Sequence, residues 1–163
     1  MTNTIRTITG LTTITAVGSG LAGGVFFAFS SFVMPALRRL PNPQGIAAMQ
    51  SINKQAPTPA FMALLFGTAA MSAGLGVYAL LHRDQPQSSW LLGGSLSYLA
   101  SIVITGAFHI PRNDKLASMD PGAAESARYW TTYLSQWTAG NHLRTVTCAA
   151  AAFLFTVAAR RSV

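Results

Sequence analysis

A chain of 163 residues with eleven Lys or Arg, four Asp or Glu and half its residues apolar has too little charge to clothe an ordinary soluble domain. Its formal charge of +7 does not point to nucleic acid, because the basic residues lie scattered between apolar runs and form no stripe or dense patch. The single cysteine, Cys148, excludes an internal disulfide and reads as a small buried residue in an apolar segment.

Residues 7–37, 55–81 and 85–108 contain no Asp, Glu, Lys, Arg or His. Each run exceeds the roughly 20 residues that cross a bilayer core. Pro35 trims the first and Pro57 with Pro59 delays the second, which predicts spans near 11–34, 60–81 and 89–109. The length of the first run and the hydrophobicity of all that follows argue against a cleaved signal peptide. Between spans 1 and 2, PNPQGIAAMQSINKQ places Ile46, Met49 and Ile52 at helical spacing and predicts an interfacial helix over Gln44 to Gln55. HRDQPQSS is a short turn to span 3. In MDPGAAESARYWTTYLSQW, Asp120 can cap and Pro121 can open a second interfacial helix bearing Tyr129, Trp130, Tyr133 and Trp137.

The last run is the informative one. Thr145 to Ala159 is uncharged but only 15 residues long, which reaches about 22 Å against a core of about 30 Å. To cross, the helix must begin near Ala139 or Gly140, giving a span over 140–159 that draws Asn141, His142 and Arg144 into its first turns. An ionisable residue at that depth faces the protein interior and marks a functional site, unless it snorkels to the headgroups. The expected fold is therefore all-α: a four-helix transmembrane bundle with two short interfacial helices in the 1–2 and 3–4 connections. Residues 1–163 form a single membrane domain, a multi-pass integral protein of the cell membrane whose first partner is the lipid bilayer. Ala16, Gly20, Gly24 and Ala28 on span 1, and Ser97, Ser101 and Thr105 on span 3, recur every four residues and suit close helix crossing. Self-association stays open. Counting Lys and Arg favours cytoplasmic long connections, by a margin that narrows if Arg112 and Arg144 serve a site.

Chemistry converges at one membrane surface. Pro111 disfavours helix at Ile110 and predicts a break just after His109, beside Asn113 and Asp114. Span 4 opens at the same surface, where Trp137, Asn141, Arg144, Thr145 and Cys148 share one helix face. Asn53 lies on that side as well. A single polar pocket roofed by the aromatic helix is expected. Three plainer roles compete: His109 ending a helix, His142 pointing to the lipid interface, and Arg144 paired with Asp114 or Glu125. The aromatic cluster suits an interface belt as well as a ligand clamp. No nucleotide-binding glycine loop, HExxH, CxxC or GxSxG is present. The two histidines leave a haem or metal between helices as an alternative.

MPALRRLP followed by INKQ, then FHIPRNDKLA, then WTAGNHLRT resembles the anthrone oxygenase-like family of small four-helix membrane proteins, over nearly the whole chain. The elements carrying the likeness are Pro111, Asn113 and Asp114, and Trp137, Asn141, His142, Arg144 and Thr145; His109 and Arg112 depart from the usual pattern. The resemblance implies oxidation of an anthrone, an aromatic polyketide, to an anthraquinone by molecular oxygen as co-substrate without an organic cofactor. That reaction needs a base, donors to an enolate oxygen and an apolar chamber, and the expected pocket offers them: His142 or His109 as base, Arg144 and Asn141 on the enolate oxygen, Asn113 for orientation, and Trp137 and Tyr133 to stack on a planar hydrophobic substrate, with Asn53 nearby. A non-catalytic membrane subunit or lipophile-binding module is the competing expectation.

Overall fold

The computed structural model describes residues 2–161. In chain order it contains α1 (Thr2–Ala28), a π-helical turn Phe29–Val33, α2 (Met34–Arg38), α3 (Asn42–Gln55), α4 (Pro59–Leu81), α5 (Ser88–Ile104), a second π-helical turn Thr105–His109, α6 (Ile110–Ala117) and α7 (Ala124–Arg161). Four continuous helices, Asn3–Arg38, Pro59–Leu81, Ser88–Ala117 and Ala124–Arg161, are long and apolar enough to cross a membrane. This is an all-α four-helix membrane bundle. A helix rich in Thr and Ser suits lipid only if its hydroxyls are satisfied. In α1, Thr7, Thr9, Thr12, Thr13, Thr15 and Ser19 each donate to the carbonyl four residues earlier.

Local chemistry sets the ends. Thr58 caps α4 by accepting from the Phe61 amide at 3.2 Å, with Pro59 at the first helical position. The interfacial helix between spans 1 and 2 is present as α3, opened by Asn42 and Pro43.

Neither internal proline ends its helix. Pro35 and Pro111 lack an amide and crowd the carbonyl four residues back, and in both cases the preceding turn widens to π geometry. The Met34 amide then bonds to Phe29 O, and the Ile110 amide to Thr105 O. The break expected after His109 is thus a widened turn, and span 3 runs on to Ala117. The aromatic segment of the 3–4 connection is helical but is not separate: it forms the first third of α7, which has no proline to interrupt it. Asp120 and Pro121 lie outside that helix, where Asp120 Oδ1 accepts from the Gly122 amide at 3.0 Å.

Two apolar clusters stack along the bundle. Within the spans, one includes Phe26, Leu65, Leu91, Tyr98, Cys148 and Phe155; nearer the long connections, the other includes Met34, Ile46, Met49, Leu116, Trp130, Tyr133 and Trp137. The glycines that let helices touch are not the expected stripe. Gly20 meets only Ala152, at 4.0 Å, and Gly24 faces open space, whereas a methyl on Gly18 would collide with Thr68 and one on Gly23 would stand 3.0 Å from Cys148 Cβ. Gly140 on α7 is tight as well: a methyl there would stand 2.6 and 2.8 Å from carbons of the Phe108 ring and 3.0 Å from His109. Gly140→Ala is therefore expected to cost about 1–3 kcal/mol through overpacking, read as a lower apparent Tm in detergent.

Candidate active site

The polar centre sits where the two clusters meet. On α7, Asn141 and Arg144 lie between Trp137, in the connection-side cluster, and Cys148, in the span cluster. From Arg144 to the helix end at Arg161 is about 26 Å of α-helix. With that end at one surface, the guanidinium lies just inside the opposite edge of the hydrocarbon core.

Asn141 is fully buried, and its amide is locked. Nδ2 donates to Phe26 O at 2.6 Å and to Ser30 Oγ at 2.7 Å, which uses both donors and turns Oδ1 toward Arg144. Arg144 Nη2 donates to that Oδ1 at 2.7 Å, and Nη1 reaches Thr105 Oγ1 at 3.3 Å. Its Cζ lies 4.2 Å from the centre of the Phe26 ring and 5.2 Å from that of Trp137. Both π turns contribute, Ser30 from one and Thr105 from the other. Arg144 is only 6% exposed, its Nε has no hydrogen-bond partner, and among the described residues no carboxylate pairs with it. The pairing with Asp114 or Glu125 is not made; Glu125 and Asp114 are exposed.

Beside the guanidinium is a cavity of about 530 Å³, within the range of small-molecule sites. Phe26, Phe29, Phe61, Met62 and Leu65 supply apolar walls; Arg144, Thr105, Asn113, Asn53 and Trp137 supply the polar atoms. The end of α3 and Ala56–Thr58 cover it, rather than the aromatic segment. Asn113 Oδ1 accepts from Tyr133 Oη at 2.8 Å and from Trp137 Nε1 at 2.9 Å. With its oxygen so occupied, the amide NH2 is the part left for a ligand. Asn53 Nδ2 makes no hydrogen bond, although the Tyr133 hydroxyl stands beside it.

The expected residues thus divide. Arg144, Asn113, Trp137 and Asn53 line the cavity; Asn141 and Tyr133 stand behind it as supports. Trp130, Tyr133 and Trp137 are at most 4% exposed, so these rings are core rather than an interface belt. His109 is buried behind Trp137, its ring nitrogens each 3.3 Å from a backbone carbonyl, of Ile104 and of Trp137. His142 is exposed on the outer side of α7 and is not brought to the site. The two imidazoles do not converge, and among the described residues no three His, Cys, Asp or Glu side chains come together as a metal site. Sequence reasoning missed Phe26, Ser30 and Thr105 as site components. The signal the sequence offers is position, Ser30 and Thr105 lying five and six residues before Pro35 and Pro111.

Fold and site together define a four-helix membrane bundle with a buried arginine beside an apolar chamber. The family model described as anthrone oxygenase matches residues 59–154, well over half the chain, and the protein belongs to that family. The match spans Asn113, Trp137, Asn141 and Arg144 but not span 1 or α3. No curated protein and no solved structure matches the chain.

Proposed function

We propose that this protein is an oxygenase of the cell membrane that converts an anthrone-type aromatic polyketide to a quinone with molecular oxygen. The observation that carries the reading is Arg144: a guanidinium 6% exposed, without a carboxylate partner among the described residues, beside a cavity of about 530 Å³. An uncompensated charge buried in a bilayer is costly, and an anion formed on the substrate offsets that cost.

The reaction asks for little else. An anthrone methylene loses a proton to give an enolate whose negative oxygen Arg144 stabilises, with the Asn113 amide as a second donor. No carboxylate, imidazole or thiol is among the lining side chains. Ionisation is therefore driven by stabilising the anion, with the proton leaving to water. The electron-rich carbon then reduces oxygen and binds one of its atoms as the new carbonyl. The second oxygen atom leaves as water with the two methylene hydrogens, so atoms and electrons balance without an added reductant. Trp137 offers an aromatic wall for the planar ring system, and apolar walls admit oxygen.

Purified protein in lipid nanodiscs, given emodin anthrone under air, is expected to form quinone well above the spontaneous rate. His142→Ala should keep the full rate, since that ring is exposed outside the cavity. The lack of a base among the lining residues equally favours a non-catalytic module that binds a lipophilic aromatic anion. A wild-type rate equal to the spontaneous one would leave that second reading standing. An absorption spectrum and metal analysis of the same sample test a haem or metal held by histidine.

A further inference from the structure

The cavity lies in a cleft between spans 1 and 2. These helices touch at Gly18 and Thr68, where a methyl on the glycine would collide with the threonine side chain. Seven residues further along span 1 is Val25, and seven residues earlier on span 2 is Phe61, each about 10 Å above that contact on the cavity side. At this level side chains of both helices line the chamber. Val25 is 36% exposed and Phe66 60% exposed, yet both line the cavity. Side chains that face lipid and chamber at once form a rim. On the headgroup side, the rim is Gln55 to Thr58, the segment joining α3 to α4.

We infer that the ligand reaches Arg144 sideways from the hydrocarbon layer, through the cleft between spans 1 and 2 rimmed by Val25 and Phe66. This deepens the proposed function by naming the substrate class: a flat aromatic that partitions into lipid, arriving uncharged and becoming anionic only at the guanidinium. An anion taking the lateral cleft would pass its apolar side chains with its charge unpartnered, whereas a neutral lipophile crosses them without that cost. The charge arrangement agrees, because Arg144 lies at the inner end of the chamber, against Asn141 and Thr105, and not at the rim.

The test compares three surface substitutions in protein reconstituted in phosphatidylcholine nanodiscs. Val25→Phe narrows the cleft, Phe66→Ala widens it, and Gln55→Phe fills the headgroup-side rim. All three positions are exposed, so the core stays intact. Val25→Phe is expected to lower kcat/KM for emodin anthrone about tenfold with kcat at saturation retained, Phe66→Ala to raise kcat/KM, and Gln55→Phe to lower it far less than Val25→Phe does. A loss confined to Gln55→Phe, or no effect from any of the three, would overturn the lateral route. The inference rests on the site binding such aromatics, so the same variants are also compared by the association rate of the quinone emodin, followed through quenching of native tryptophan fluorescence. A wild type that binds emodin but forms no quinone above the spontaneous rate fails the catalytic reading alone. In that case a slower association in Val25→Phe still supports the route, and an unchanged one overturns it.

Discussion

Arg144→Gln is expected to lower kcat for quinone formation by roughly 10²–10³, the usual effect of removing one donor from an oxyanion site. The side chain is 6% exposed and has no carboxylate partner among the described residues, so its charge is available to an anion in the chamber. The pH profile gives a sharper test than the rate. An opposite charge nearby favours the ionised form of a weak acid and lowers its pKa by about 1–3 units. The bound anthrone should therefore ionise at lower pH in the wild type, and Arg144→Gln should move the rising limb of the pH–rate curve upward by a comparable amount. At pH high enough to ionise the substrate in both proteins, the two rates should approach each other. Coincident profiles would remove Arg144 from the chemistry. Arg144→Lys should rescue only in part, because a point charge cannot reach Asn141 and Thr105 at once as the forked guanidinium does.

Thr105→Asp should change stability and activity in opposite directions. Thr105 Oγ1 already accepts from Arg144 Nη1 at 3.3 Å, and aspartate of similar volume would place a carboxylate there. A charged hydrogen bond to a desolvated cation contributes about 1.5–3 kcal/mol, so the apparent Tm should rise. The same carboxylate would occupy the guanidinium that the substrate anion needs, and quinone formation should fall by at least about 100-fold, a loss in the range seen when an oxyanion donor is removed. A fall in both would mean that the site tolerates no new charge; a rise in stability with activity retained would mean that the uncompensated cation is not what the reaction uses.

The amino-acid string alone determined the bundle. Charge-free runs, their lengths against a bilayer and the shortness of the last run are local, additive properties, and they required a helix that carries Arg144 below the surface. The shared face of Trp137, Asn141, Arg144 and Cys148 was legible for the same reason, since helical spacing follows from residue numbers, and all four are buried. Continuity of α7 was not legible, although the absence of proline from Ala124 to Arg161 allows it: the shortness of the last apolar run suggests a separate interfacial helix before a span at 140–159, and only the structure joins the two.

Only the tertiary structure decided which neighbour enters the site. His142 sits one residue from Asn141, about 100° around the helix, and nothing in that spacing says which of the two meets span 1. Contacts between residues far apart in the chain settle it: Asn141 bonds to Phe26 and Ser30, and His142 is left outside. The π turns depended on the fold as well. A proline permits either a break or a widened turn; here both turns widen and pack against α7, which brings Ser30 and Thr105 to the polar centre. Periodicity reports what one helix can present; what it does present depends on the surface that another helix brings against it.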